Sequence, residues 1–187
     1  MPIWLIVVLA VVLLLVVFVW STYNKLVTLN ERVNEAWSDI TVQLKYRADL
    51  IPNVVETVKG YAKHEKSAFE DVTKARAAVM GAKSVKTAAE AEKSMEAVLG
   101  KIFAIAEAYP ELKASANFKE LQTQLQDVED KIQAARRFYN AGAKELNTSI
   151  KKFPVNIFGG FGFKNRDYFE VADRKKIEDA PEVKFDK

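Results

Sequence analysis

The sequence predicts an all-α protein with three parts: an N-terminal transmembrane helix, an antiparallel up-down four-helix bundle and a Phe/Gly-rich C-terminal segment. Three observations lead to this prediction. An unbroken apolar run opens the chain, apolar residues then recur with helical periodicity, and no alternating strand pattern or internal repeat occurs. Prolines lie near the boundaries between the periodic segments, where they end or start helices.

The apolar run Ile3–Trp20 predicts a single membrane anchor over residues 1–21. As a helix its 18 residues extend about 27 Å, close to a hydrocarbon core of roughly 30 Å. Trp4 and Trp20 stand at its ends, where indole rings favour the membrane interface. The alternative is a cleaved signal peptide. No Lys or Arg precedes the run, its length exceeds the usual range of about 7–15 residues, and no A-x-A site follows, so we expect an uncleaved anchor.

Four amphipathic helices are predicted within residues 22–153, at about 22–50, 52–81, 87–109 and 117–153. Their lengths and short connections favour an up-down bundle. The first helix carries a heptad seam typical of a coiled coil: Tyr23, Leu26, Asn30, Val33, Trp37, Ile40, Leu44, Arg47 and Ile51. On this seam we expect Asn30 to set helix register and Arg47 to pair with a carboxylate at the buried edge, rather than either binding a ligand.

Local signals set the predicted helix boundaries. Pro52 predicts a turn between the first and second helices, and the alternative is one long helix kinked at that proline. Gly81 is a candidate C-terminal cap of the second helix. Thr87 and Glu90 have the spacing of a capping box for the third helix, and Asn117 is placed to cap the fourth.

The character of the chain changes after Pro154. Five of the eleven Phe lie between Phe153 and Phe169, and three of the seven Gly lie among them. This segment, 154–171, is not a phosphate loop, because no strand precedes it and no helix follows it. It either folds back over the bundle or dips into the membrane interface. The charged residues 172–187 predict a disordered tail.

Several motifs resemble the LemA family. They are Tyr23–Val27, Ala36–Ile40, Val42–Lys45, Asp49–Asn53, Glu56–Tyr61, Ala75–Ala77, Ala106–Ala114, Asn117-Phe118, Ala135–Asn140 and Phe161–Phe163. One departure is Leu146, which stands where the family pattern has Tyr before Asn147. The resemblance implies a bacterial membrane protein with a helical bundle, and some relatives are linked to organising intracellular membrane compartments. It implies no catalytic residues, because the family has no established biochemical function.

The composition excludes several kinds of chemistry. The chain has no Cys, which removes disulfides, thiolate metal sites and Cys nucleophiles. Its net charge of +3 comes from interleaved charges of both signs and not from the basic stripe of a nucleic-acid binder. The single histidine, His64, has no second His at the spacing of a zinc protease and no Glu-x-x-His pairs exist for a di-iron bundle.

The remaining candidates for chemistry have simpler structural interpretations. Glu31 with Glu35, and Glu65 with Arg76, are expected to be solvated or ion-paired rather than acid–base groups. An aromatic stripe is expected to pack in the core rather than line a small-molecule groove; its members are Trp37, Tyr61, Tyr109 and Tyr139. We therefore predict no catalytic, cofactor-binding or metal-binding residues, no cofactor and no small-molecule substrate.

These observations predict a membrane-anchored structural or interaction protein, a scaffold rather than an enzyme. Its expected partners are the lipid bilayer and either further copies of itself or other membrane proteins, not nucleic acid. A signalling module, in which the span and the stalk form one continuous helix, is the alternative, and an enzyme is the third hypothesis. Because Lys25 follows the span and no Lys or Arg precedes it, we expect a single-pass bacterial membrane protein with its bundle in the cytoplasm.

Overall fold

The computed structural model describes residues 2–170, and this region of the chain is all-helical with no strand. The predicted tail at 172–187 lies outside the described residues. The elements are α1 (Ile3–Lys59), α2 (Lys66–Gly81), α3 (Val85–Ala108), α4 (Pro110–Ala114), α5 (Ala116–Lys151) and one 3₁₀ helix (Val155–Gly162). The described residues form two compact units: a first unit of 2–40 with 134–168, and a second unit of 41–133 with 169 and 170.

The helix α1 changes character along its length. No residue of its apolar N-terminal stretch is buried, and α1 is the one helix among residues 2–170 that is long and apolar enough to cross a membrane. Further along the helix a single face becomes buried, and the residues that α1 buries in the first unit are Leu26, Leu29, Val33, Ala36 and Ile40. The first part of α1 is apolar on all sides and the second part is amphipathic, so the two parts are suited to different surroundings.

The turn predicted at Pro52 is wrong, because α1 continues through this proline to Lys59. Proline has no N–H, so the carbonyl of Ala48, four residues earlier, lacks its usual helical donor. The Nε of Arg76 in α2 donates to that carbonyl at 2.8 Å. The same guanidinium lies 3.7 Å from the Asp49 carboxylate. A side chain from the next helix thus satisfies the backbone group that Pro52 leaves without a partner, and the chain turns later, at residues 60–65.

The start of α3 also differs from the prediction. Ser84, not Thr87, is the N-cap, and its hydroxyl accepts from the Thr87 N–H at 3.2 Å. The Ser84 N–H in turn donates to the Thr87 hydroxyl at 3.1 Å, so Thr87 takes the role expected of Glu90. The capping box is therefore real but lies three residues earlier. The helix α5 begins at Ala116, which places Asn117 inside its first turn instead of at the cap.

The second unit buries apolar side chains from five helices. They include Leu44, Ile51, Val54 and Val58 of α1, Phe69, Val72 and Val79 of α2, Met95, Val98 and Ile102 of α3, Leu112 of α4, and Leu125, Val128 and Ile132 of α5. Specific pairs also join the helices: Lys101 of α3 lies 3.1 Å from Asp71 of α2, and the rings of Phe103 and Phe118 lie 6.3 Å apart. The unit therefore has its own core.

The first unit brings α1 and α5 together as antiparallel neighbours. The rings of Trp37 and Tyr139 lie 6.1 Å apart. Four residues back along α1, Val33 approaches Gly142, where a Cβ would stand 3.4 Å from the valine Cγ2. Because the residue number falls along α1 as it rises along α5, the two helices run in opposite directions.

Candidate functional sites

Arg47 forms the centre of a buried ion-pair network in the second unit. Its Nη1 donates to Glu92 Oε1 at 2.8 Å and to Glu129 Oε2 at 2.9 Å. Its Nη2 makes a second, very close contact with Glu92, so this pair is bidentate. The expectation that Arg47 pairs with a carboxylate is confirmed. One residue of α1 thereby joins α3 and α5, and the planar guanidinium suits this geometry in a way that a lysine would not.

Glu92 is unusual among the carboxylates because it is almost completely buried. Burial raises the pKa of Glu92 above its ordinary value, the Arg47 guanidinium opposes that rise, and the nearby Glu129 and Glu96 carboxylates add to it. Its buried position is visible in the sequence as a heptad-like spacing shared with apolar neighbours, which are Ala88, Met95 and Leu99. This signal could have placed Glu92 on the buried face of α3, although it does not name Arg47 as the partner.

Carboxylate oxygens of Glu92, Glu96 and Glu129 lie within 4.8 Å of one another, a spacing that could hold a cation. The sequence predicted no metal-binding residues, and this grouping does not show in a local pattern because its members lie on α3 and α5. Arg47 already donates to two of the three carboxylates and supplies positive charge where a cation would sit. The arrangement is therefore first of all an ion-pair network. A cavity of about 370 Å³ adjoins it, lined by Arg47, Glu96, Leu99, Phe103, Leu125 and Glu129 among others.

A second polar cluster, in the first unit, holds the segment that follows the 3₁₀ helix. The Nη2 of Arg166 donates to Asn30 Oδ1 at 2.8 Å and to Asn34 Oδ1 at 2.9 Å. The Arg166 N–H donates to Asn147 Oδ1 at 2.7 Å, and Asn147 Nδ2 returns a bond to the Arg166 carbonyl at 2.9 Å. Asn30 therefore binds the C-terminal segment, whereas the sequence predicted that it sets the register between helices.

Tyr139 fixes the same segment one residue further on. Its hydroxyl donates to the Asp167 carbonyl at 2.9 Å. Burial raises the pKa of Tyr139, the positive charge of Arg166 partly opposes the rise, and the Asp167 carboxylate adds to it. A tyrosine held protonated keeps its donor proton for the backbone carbonyl, so this contact is structural in character.

The Phe/Gly segment packs against both α1 and α5 in the first unit. Phe161 and Phe163 place their rings 6.2 and 5.9 Å from the ring of Tyr23. Gly160 has φ of 61° and lies so close to Ile150 that a Cβ there would stand 2.6 Å from the Ile150 Cγ2. A side chain at this glycine would be strained by both its backbone angle and its neighbour.

The other candidates from the sequence lie apart from these clusters. His64 is exposed in the turn between α1 and α2. The Glu31 carboxylate accepts from the side-chain amides of Asn30 and Asn34, each at 3.2 Å. Arg76, which the sequence grouped with Glu65, donates to the Ala48 carbonyl and lies beside the Asp49 carboxylate. In the aromatic stripe, Tyr139 is buried against Trp37, Tyr109 is half-buried and Tyr61 is exposed, so the stripe packs in the core only incompletely.

An exposed apolar helix that continues into a helical domain is typical of a membrane-anchored helical protein. The LemA family model matches residues 36–185, and this chain belongs to the LemA family, as its motifs indicated. It is 27% identical over 175 residues to Magnetosome protein MamQ 2 of Paramagnetospirillum magneticum, covering 79% of this chain and 64% of that protein. It is 28% identical over 188 residues to Magnetosome protein MamQ of Magnetospirillum gryphiswaldense, covering 84% of this chain and 69% of that protein. It is 27% identical over 134 residues to Protein LemA of Metamycoplasma hominis, covering 71% of this chain and 61% of that protein. The chain thus spans less than two thirds of the first of these relatives.

Proposed function

We propose that this chain is a single-span, membrane-anchored structural and interaction protein of LemA type, without catalytic activity. In this proposal Ile3–Trp20 crosses the bilayer, and the rest of the described chain forms an up-down four-helix bundle that presents surfaces to partners. The observation that carries it is α1, whose apolar stretch is exposed on every side and whose continuation is buried along one face. Water does not favour such an apolar surface, whereas a bilayer does.

The polar clusters support a structural role. In the second unit the two terminal nitrogens of Arg47 donate to Glu92 and Glu129, and its buried Nε has no partner among the described residues. In the first unit the amides around Arg166 satisfy backbone and side-chain groups. Groups already engaged in this way are less available to a substrate. The relatives are named for the magnetosome or for the family and not for a reaction, which also favours a structural role.

The proposed partners are further copies of the chain or other membrane proteins. The test is chemical cross-linking in native membranes followed by mass spectrometry, with size measurement of the detergent-solubilised protein. A matched control replaces Ile3–Trp20 with an unrelated apolar span, which keeps the anchor but changes its sequence. Cross-links of the helical domain to itself or to a reproducible partner are expected in both proteins. A strictly monomeric protein with no co-purifying partner would contradict the proposal.

A second candidate is a signalling module, which the unbroken α1 across residues 21–24 specifically favours. A helix without a break can pass a movement of the span to the domain. The test changes Ser21 and Thr22 to Gly, because glycine weakens a helix interior by up to about 1 kcal/mol per residue. Spin labels on cysteines at Val12 and Glu35, about 35 Å apart in a straight helix, report whether the coupling is broken. Cross-links that change when the helix is uncoupled support signalling, and cross-links that stay the same contradict it.

A further inference from the structure

The end of α5 lies beside the end of the apolar stretch of α1. The antiparallel pairing is fixed at Trp37 with Tyr139. From this pair, Tyr23 is about 21 Å back along α1 and Lys151 is about 18 Å forward along α5. The two positions therefore reach similar levels. Tyr23 is only one helical turn beyond Trp20, where the apolar run stops.

Ring contacts confirm this level independently. Phe161 and Phe163 both lie against Tyr23, at 6.2 and 5.9 Å. The 3₁₀ helix and the residues next to it are thus held at the end of the apolar run, within the same compact unit.

Two apolar residues in and next to this segment have exposed side chains. Phe153, which follows shortly after α5, is 79% exposed, and Ile157, inside the 3₁₀ helix, is 68% exposed. Single exposed apolar residues are ordinary. Phe153 and Ile157 differ from such residues because they lie beside an apolar helix that is as long as a membrane span.

Basic side chains surround the same place. Lys151 and Lys152 immediately precede Phe153, Lys164 follows the 3₁₀ helix, and Lys25 lies on α1, and all four are exposed. Aromatic and aliphatic residues flanked by lysines are typical of segments that lie in a membrane interface, with the cations at anionic headgroups.

We propose that Phe153 and Ile157 form a second membrane contact, inserted into the interface of the same bilayer that α1 crosses, with Lys151 and Lys152 at anionic lipid headgroups. Phe161 and Phe163 hold the segment against α1, while Phe153 and Ile157 meet lipid. This inference rests on the proposed membrane anchor. It adds that the domain is held at the bilayer surface at two points and not by α1 alone.

The absence of cysteine from the chain makes a direct test possible. Ile157→Cys is labelled with the environment-sensitive dye NBD, and the full-length protein is placed in nanodiscs of phosphatidylcholine with or without phosphatidylglycerol. Phe138→Cys is the matched control. Phe138 is, like Ile157, an exposed apolar residue of the first unit, at 60%, but it lies next to Tyr139 at the level of Trp37, about 25 Å along α1 from Trp20.

The expected result is a blue-shifted NBD emission at position 157 that is quenched by lipids carrying a nitroxide near the headgroup, and no such quenching at position 138. Changing Lys151 and Lys152 to Gln should reduce the quenching in discs containing phosphatidylglycerol. Equal quenching at both positions, or a blue shift without lipid quenching, would overturn the inference, the latter because it reports contact with protein. Protein that does not stay with the discs at all would instead contradict the membrane anchor itself.

Discussion

At the scale of single residues, Arg47 decides how three helices meet. Its side chain is almost completely buried, and its charge is compensated by Glu92 and Glu129. Removing charges from water is costly, so such a network stabilises a fold only if all its members are present. Replacing one member leaves the others buried and unpaired, whereas replacing all of them by apolar residues leaves no buried charge without a partner.

Arg47→Met is therefore expected to lower the free energy of unfolding by about 3–5 kcal/mol, because it leaves Glu92 buried without its partner. The triple variant with Glu92→Leu and Glu129→Leu added should recover most of this loss. Urea unfolding of the detergent-solubilised protein measures both. The expectation fails if the triple variant is less stable than Arg47→Met alone.

Glu92 also makes the stability of the fold depend on pH, in a direction that its raised pKa defines. Because the pKa of Glu92 is raised above its ordinary 4.5 in the fold, the folded protein binds more protons than the unfolded chain between the two values. The contribution of this carboxyl to stability is therefore fully present below the ordinary pKa and is lost as the pH rises through the raised one.

The variant Glu92→Gln lacks this titration and keeps the shape of the side chain. The difference in Tm between the wild type and this variant should accordingly fall as the pH rises from about 4.5, and become constant above the raised pKa. Circular dichroism melts over a pH series measure it. A difference that grows with pH would mean that the attraction of Arg47 outweighs burial and lowers the pKa.

At the scale of elements, the continuity of α1 through Pro52 depends on a residue of another helix. Local signals around Pro52 favoured a turn because they contain no information about Arg76, which lies 28 residues beyond the carbonyl it binds. The cap of α3 illustrates a smaller error of the same kind. Both Ser84 and Thr87 can cap a helix, and only the backbone geometry distinguishes N-cap from third helical position.

Arg76→Met should destabilise the protein by about 1–2 kcal/mol, since it leaves the Ala48 carbonyl without a donor. In a Pro52→Ala background residue 52 regains its N–H, so the same change should cost less, with a coupling energy of about 1 kcal/mol. Lys74→Ala, an exposed basic residue of the same helix, is the control and should have little effect. Two strictly additive changes would show that Arg76 acts elsewhere.

At the scale of the whole chain, the sequence was most informative about the class of fold and the family. The apolar run, the helical periodicity and the LemA motifs predicted a helical LemA protein with an apolar N-terminal helix, and these predictions are confirmed. The polar clusters were predicted only incompletely, because Arg47 stood out on its own seam while its two partners lie on other helices. The Arg166 cluster joins residues 132 and 136 positions apart, a distance that no local pattern reveals.

Labelling of cysteines on the two sides of the proposed span is the most direct test of the membrane anchor. Pro2→Cys and Lys119→Cys, each in the otherwise cysteine-free chain, are exposed to a membrane-impermeant maleimide in intact cells and again after permeabilisation. We predict that Pro2→Cys is labelled in intact cells and that Lys119→Cys is labelled only after permeabilisation, because the single span separates them and the lysine-bearing side stays in the cytoplasm. Equal labelling of both positions in intact cells would contradict a single span with the helical domain inside.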